Sequence, residues 1–298
     1  PDGDYTKDLE NMGVNVLPLE MARGSMNPLY MPAALRSIRE AVEEVQPDLV
    51  HSFTHQPNIF TRMALTGKTV TVNSITGLGS CFLGAGAKGR AMRGVFQGLY
   101  RFTAKHCHAL VFQNDDDREY FEKNKMLGKK DSAIVQMIRG SGVDMERFRP
   151  DPGHERSAHI RKEFGLAQDD VLVVLVARLI RDKGVFEFLE AVKQIAPDHP
   201  KAKFLLVGDA DPGNPCSLSQ VEIEAAKSSA PVIFAGWRKD LHHIWPAADI
   251  AVLPSYREGL PVSMQEALAC GLPVVVSDAP GCKEIVFHDK NGFMVPVK

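Results

Sequence analysis

Apolar residues along the chain gather in short runs, and between the runs they recur every three or four positions on otherwise polar stretches. In the first half the runs are VNVLPL (14–19), DLVHSF (48–53), TVTVNSI (69–75), ALVFQN (109–114) and AIVQMI (133–138). Helical spacing marks AALRSIREAVEEV (33–45), a segment near 88–105 and a segment from Asp115. Runs of strand length alternating with amphipathic helices indicate parallel strand–helix–strand units. After the irregular ERFRPDPGHE (146–155) the pattern restarts with strands VLVVLVARL (171–179), KFLLVGD (203–209), PVIFAGW (231–237), DIAVLPS (249–255) and PVVVSD (273–278). Each is followed by a polar or glycine-rich loop and then a helix. The chain therefore reads as α/β, with two doubly wound domains over 1–150 and 151–298 and the proline- and charge-rich stretch at about 146–160 as linker.

Composition adds exclusions. With 298 residues, 44% hydrophobic and a formal net charge of −2, the chain is of ordinary globular type and large enough for two cores. Its balanced charge argues against non-specific nucleic-acid binding. The longest apolar stretch, 171–177, falls far short of the roughly 18 residues a membrane span needs. Cys81, Cys107, Cys216, Cys270 and Cys282 are odd in number, widely spaced and without a C-x-x-C pair. That usage predicts reduced thiols in a cytoplasmic compartment, not disulfides or zinc. Pro1 follows no initiator Met and Lys298 comes directly after the strand-like GFMVPV, so the chain reads as a fragment lacking residues at both ends.

Candidate chemistry lies where the second domain's strands end, because open α/β sheets bind ligands beyond the carboxyl ends of their strands. Arg178 and RDKG (181–184), GDADPGNP (208–215), GWRKD (236–240) and SYREGLP (255–261) all fall there. Arg178 and Lys183, beside the start of the helix VFEFLEAVKQI, supply two cations at a helix N-terminus, a suitable cradle for a diphosphate. In EGLPVSM (258–264), Gly259 lets backbone approach a ligand, Pro261 suits a first helical position, and the N–H groups near Val262 and Ser263 are free to point outward. Glu266 follows about one turn into that helix. If a nucleoside diphosphate lay across this edge, Glu266 could accept hydrogen bonds from ribose and Glu258 from an attached sugar.

The ordered set of PSYREGLPVSMQEALACGLPVVVSDAPGCKEIV (254–286), VARLIRDKG (176–184), LLVGDADPGNP (205–215) and FAGWRKD (234–240) resembles the donor-binding half of GT4-type (glycosyl transferases group 1) GT-B retaining glycosyltransferases. DLVHSFTHQPN (48–58), NSITGLGSCF (73–82), VFQNDDDREYF (111–121) and RGSGVDMERF (139–148) are similar to members that build bacterial capsules, O-antigens and exopolysaccharides. The resemblance implies two Rossmann-like domains facing a cleft and the transfer of a hexose or N-acetylhexosamine from a nucleotide-sugar, with uridine diphosphate as the nucleotide. The implied acceptor is a saccharide, linked to polyprenyl diphosphate, in envelope polysaccharide synthesis. It assigns the diphosphate to Arg178 and Lys183, the donor sugar to Glu258, ribose to Glu266 and the border of the nucleobase to Trp237 and Arg238. Gly208, Gly259, Leu260, Pro261 and Val262 complete the donor-binding set, with Arg178, Lys183 and Glu258 as the catalytic group. Two elements of the family pattern have no counterpart here: the glycine-rich loop after the first strand, and a C-terminal helix that crosses back to the first domain.

On the acceptor side, His51 and His55, on the loop after the strand DLVHSF, could face the cleft; His51 is the assigned residue, with packing or capping as the competing role. The backbone of Thr76, Gly77 and Gly79 could bind the acceptor phosphate. The triplets at 115–117 and 209–211 imitate a D-x-D metal motif. Asn114 followed by acids reads instead as a helix cap with first-turn charges, and no metal or other cofactor is expected. The segment 84–106 mixes Lys88, Arg90, Arg93, Arg101 and Lys105 with Met92, Val95, Phe96, Leu99, Tyr100 and Phe102. It suits either peripheral contact with an anionic inner membrane face or a core-facing helix with a solvated basic side. Two other functions stay open: a non-catalytic sugar- or nucleotide-binding protein, and a NAD-dependent oxidoreductase. The second requires G-x-G-x-x-G after a strand, which is not found.

Overall fold

A computed structural model describes residues 5–21, 29–67, 69–79, 82, 86–128 and 133–297. Cys81, Gly84 and Ala85 lie outside the described residues, and for Lys88 only the backbone is described. By contacts the chain forms two compact units, one of Pro1–Ile75, Gly94–Val111 and Phe121–Gln136, the other of Thr76–Arg93, Phe112–Tyr120 and Met137–Lys298. Where the sequence suggests one cut near 150, contacts place the segments after two early strands, 76–93 and 112–120, with the second unit.

The first half runs α1 (Thr6–Asn11), α2 (Met31–Val45), β1 (Leu49–Phe53), α3 (His55–Leu65), β2 (Val70–Ile75), α4 (Gly86–Thr103), β3 (Ala109–Phe112), α5 (Asp115–Lys123) and β4 (Ile134–Met137). Its sheet has the order β1-β2-β3-β4, with β1 and β2 parallel. Residues 14–19, an expected strand, form none. Pro18 has no N–H for a ladder, and Val14, Leu17 and Leu19 stay exposed. Helix α3 was not anticipated, because Asn58, Thr61 and Arg62 interrupt the buried apolar set of Ile59, Phe60, Ala64 and Leu65. Asn58 donates to the Ser74 carbonyl (2.9 Å) and Arg62 Nε to Asn73 Oδ1 (2.5 Å), and both side chains are fully buried. The Arg62 guanidinium lies 5.1 Å from the centroid of buried Tyr100.

The second unit continues with α6 (Ala158–Glu163), β5 (Val171–Val176), α7 (Val185–Ile195), β6 (Ala202–Val207), α8 (Gln220–Ser229), β7 (Val232–Gly236), α9 (Leu241–Ala247), β8 (Ile250–Leu253), α10 (Val262–Ala269), β9 (Val274–Ser277) and β10 (Gly292–Val295). All neighbouring strands pair in parallel in the order β10-β9-β8-β5-β6-β7. Alternation along each strand feeds two cores. Leu172, Val174, Leu205 and Val207 pack with Ile244, Trp245 and Met264 of α9 and α10. Leu175, Phe204 and Leu206 pack with Phe188, Leu189 and Ile223 of α7 and α8. Each fully buried Leu contributes about 1.5–3 kcal/mol, which makes this doubly covered sheet the rigid base of its loops. One expected helix is missing: β9 leads into turns at 280–285.

Candidate functional site

The strand order reverses between β8 and β5, so the chain leaves these two neighbours toward opposite sides, the arrangement in which open α/β sheets bind ligands at the carboxyl ends of the strands. Arg178 and Lys183 follow β5, and Glu258 follows β8. Lys183 ends a short 3-10 turn, Arg181–Lys183, closed by Gly184 at φ 71°. A Cβ on Gly184 would lie 2.7 Å from the carbonyl carbon of Pro254, so only glycine allows the two loops to touch. The Tyr256 N–H (2.9 Å) and the Ser255 hydroxyl (3.0 Å) then donate to the Asp182 carbonyl. This stitching brings Lys183 Nζ to 2.5 Å from Glu258 Oε1, with side chains 19% and 11% exposed. Burial raises the Asp182 carboxyl above its usual range, and Glu258 adds to the shift against the opposing effect of Lys183.

Arg178, half exposed, pairs with buried Asp211 in the loop after β6. Gly208 opens that loop at φ 138°, where a Cβ would come within 2.9 Å of the Ala177 carbonyl carbon. At the start of α10, Leu260 is buried and Pro261 occupies the cap position, one residue earlier than expected. The Pro261 side chain makes no capping bond, and the N–H groups of Val262 and Ser263 belong to the first turn, which intrahelical carbonyls do not reach. Glu266 accepts a hydrogen bond from the indole of fully buried Trp245 (3.1 Å). Burial pushes its carboxyl up, opposed by that bond and by the charge of Arg147.

Trp237 is 48% exposed, with Lys239 Nζ 5.4 Å from its ring centroid. Arg238 is committed elsewhere: it donates to Glu163 Oε1 (2.5 Å) and Asp240 Oδ2 (2.7 Å), and these two carboxylates push its pKa further up. Arg238 thus anchors the loop that presents Trp237.

The TGLG and EGLP segments meet. A Cβ on Gly77 would lie 2.7 Å from Gly259 N, and one on Gly259 would lie 2.5 Å from both the Thr76 carbonyl carbon and Gln113 Oε1. Gly281 closes the other side, where a Cβ would fall 2.6 Å from the carbonyl oxygens of Glu258 and Gly259. Gly79 is exposed at φ 67°. His51 lies in the first unit, within β1 and not in the loop after it, with Nε2 2.8 Å from Ser74 Oγ. His55 Nδ1 meets Tyr100 Oη at 2.9 Å.

Each acid at 115–117 has a cation: Asp115 faces Arg118 and Arg139, Asp116 faces Lys283, and Asp117 faces Arg257. Among the described residues no group of three or more His, Cys, Asp or Glu is placed to hold a metal. The sequence reading missed Asp211, Trp245 and Asn114 as partners of site residues. Only Trp245, one of two tryptophans, stands out by type. A cavity of about 910 Å³ lined by Val173, Phe188, Val192 and Val252 includes none of the candidate residues and is apolar, unlike this polar edge.

Residues 157–298 match the model of the family described as glycosyl transferases group 1. Over 301 aligned residues the chain is 31% identical to N,N'-diacetylbacillosaminyl-diphospho-undecaprenol alpha-1,3-N-acetylgalactosaminyltransferase of Campylobacter jejuni, covering 100% of this chain and 77% of that protein. It is 28% identical to UDP-Gal:alpha-D-GlcNAc-diphosphoundecaprenol alpha-1,3-galactosyltransferase of Escherichia coli, over 88% of this chain and 66% of that one. Among solved structures, Anabaena HepE in complex with UDP and glucose superposes with a TM-score of 0.78 at 20% identity, covering 99% of this chain and 76% of that chain. That likeness identifies the fold.

Proposed function

The chain belongs to the glycosyl transferases group 1 family of GT-B glycosyltransferases, and from this premise we propose that it moves a hexose or N-acetylhexosamine from a UDP-sugar to a saccharide carried on polyprenyl diphosphate. The reaction retains anomeric configuration, uses no metal and serves envelope polysaccharide synthesis. The observation that carries the reading is the Lys183–Glu258 pair, which joins the loops that follow β5 and β8 at the switch point. Supporting it, the Campylobacter and Escherichia relatives are named for undecaprenyl-diphosphate acceptors, the latter also for UDP-Gal, and HepE was solved with UDP.

A diphosphate binding at this switch point competes with Glu258 for Lys183 and with Asp211 for Arg178. Its greater charge draws both cations, and the Val262 and Ser263 N–H groups complete the cradle. Glu258, released from Lys183, accepts hydrogen bonds from the sugar. Glu266 binds ribose, with Trp237 beside the base. As the sugar–phosphate bond breaks, negative charge grows on the departing diphosphate, where these cations and N–H groups already point. Such fixed donors are the largest single source of rate in many enzymes. Charge neutralisation falls to Arg178 and Lys183, which is the basis for a metal-independent assignment. Attack comes from the same face as departure, so no protein nucleophile is assigned.

The acceptor phosphate is assigned to the backbone of Thr76, Gly77 and Gly79, beside the donor loop; within the first unit, taken by itself, His51 is the acceptor candidate. No helix among the described residues is long and apolar enough to cross a membrane. Helix α4 buries Phe96 and Tyr100 but exposes Met92, Val95 and Phe102 together with Arg90 and Arg101. We assign this outer face to peripheral contact at the cytoplasmic leaflet. A screen of UDP-, GDP- and other nucleotide-sugars with a polyprenyl-diphosphate saccharide, on the full-length protein, tests the proposal. Turnover of one UDP-sugar with retained configuration is expected; nucleotide binding without transfer to any acceptor would contradict it.

A further inference from the structure

The motif NDDD at 114–117 reads from sequence as a helix cap with first-turn acids, and in the structure it does more than cap. Asn114 is fully buried, and its two polar atoms have separate tasks. Oδ1 accepts the Asp117 N–H (2.8 Å), the capping contact of α5. Nδ2 donates to the Gly259 carbonyl at 2.7 Å, approaches the Glu258 carbonyl at 3.4 Å, and reaches Asp117 Oδ2 at 3.2 Å. Asp117, equally buried, pairs with Arg257, the residue before Glu258. Burial holds the Asp117 carboxyl above its usual range against the pull of Arg257 and Asn114. Asp116 reaches Lys283 (3.0 Å), beside the turn whose Gly281 presses on the same two carbonyls.

We infer that Asn114, supported by Asp117, is a positioning residue for the donor-sugar contact, acting through the backbone of Glu258 and Gly259. The inference rests on the reading of Glu258 proposed above. The backbone of Glu258 is fixed on three sides: its N–H donates to the Pro280 carbonyl (2.9 Å), its neighbour Arg257 is held by Asp117, and Asn114 takes the next carbonyl. Only the side chain is left to exchange Lys183 for sugar hydroxyls.

Capping and positioning are separable, because capping needs only an acceptor at 114 and positioning needs the amide donor. Asn114→Ser and Asn114→Thr keep an acceptor for the Asp117 N–H and lose the reach to Gly259. Asn114→Ala loses both. The full-length protein and these variants are compared in kcat and KM for the UDP-sugar, in UDP affinity by calorimetry and in Tm. The inference predicts that Ser and Thr lower Tm less than Ala does and change UDP affinity less than about threefold, while kcat falls about tenfold to a hundredfold, the size expected of a misplacement near 1 Å. Combined with Glu258→Ala, Asn114→Ser then adds little further loss, since both act on one contact. Wild-type kcat in the Ser and Thr variants, with a lowered Tm confined to Ala, would reduce Asn114 to a helix cap and overturn the inference. Full turnover by Glu258→Ala alone would instead remove the reading of Glu258 on which it stands.

Discussion

Replacing Gly259 by Ala probes the closest packing of the site with a single methyl group. The new Cβ would lie 2.5 Å from the Thr76 carbonyl carbon and 2.5 Å from Gln113 Oε1, where ordinary contact begins near 3.4 Å. Gln113 can swing its amide away, but Thr76 presents backbone. The Glu258–Gly259 chain must therefore retreat by about 1 Å, a displacement that can cost about a hundredfold in rate when it moves a group off its working position. That loss corresponds to about 2.7 kcal/mol of transition-state stabilisation. Overpacking adds a stability cost of about 1–3 kcal/mol, read as a Tm lower by several degrees. A continuous assay of UDP release at saturating donor measures the first quantity and thermal unfolding the second. Turnover within twofold of wild type together with an unchanged Tm would refute both the packing of the loop and its part in turnover.

Glu258→Ala should impair nucleotide-sugar turnover far more than UDP affinity, since UDP lacks the sugar Glu258 is assigned to; equal losses in the two assays would contradict the assignment. Burial raises the Glu266 carboxyl, so the folded protein holds that proton more tightly than the unfolded chain, and the folding cost of its charged form grows as pH rises toward the raised value. The charged form is also the one that accepts ribose hydroxyls. Affinity for uridine, which carries no phosphate of its own to titrate, should therefore fall as pH drops through that raised value, above the range in which an unperturbed glutamate would act. Calorimetry across the raised value checks the sign, and Glu266→Gln should remove the inflection. Flotation with anionic liposomes should carry the protein, and Met92→Ser with Phe102→Ser should release it; equal retention by neutral liposomes would count against the basic apolar face of α4.

Period and spacing were enough for most elements: the strands from 48 to 53 and 69 to 75, the helices from 33 and from Asp115, and the repeated pattern after 155 all correspond to observed elements. Helix α3 was hard to read because Asn58, Thr61 and Arg62 are buried among Ile59, Phe60, Ala64 and Leu65, so its apolar positions form no clean helical stripe. At 14–19 an alternating run proved misleading, since pattern reports what could pair but not whether a neighbour exists. The stretch 171–179 was read too long because Leu179 is buried beyond the strand's end, where Arg178 already belongs to the loop. Arg178, Lys183, Glu258 and Glu266 could be named from their positions after strands. Their mutual arrangement could not, because only the order β8-β5-β6 makes Lys183 and Glu258 neighbours across 75 residues of chain. Arg238 shows the converse: its placement beside the expected nucleobase loop was legible, but its capture by Glu163 and Asp240 depends on α6 packing nearby.

The central claim is that Arg178 and Lys183 hold the diphosphate, and the direct measurement is UDP affinity by titration calorimetry for the wild type, Arg178→Ala and Lys183→Ala. A charge-assisted hydrogen bond is worth about 1.5–3 kcal/mol, so each variant should bind UDP at least about tenfold more weakly, with uridine affinity far less affected. Unchanged UDP affinity in both variants would contradict the account.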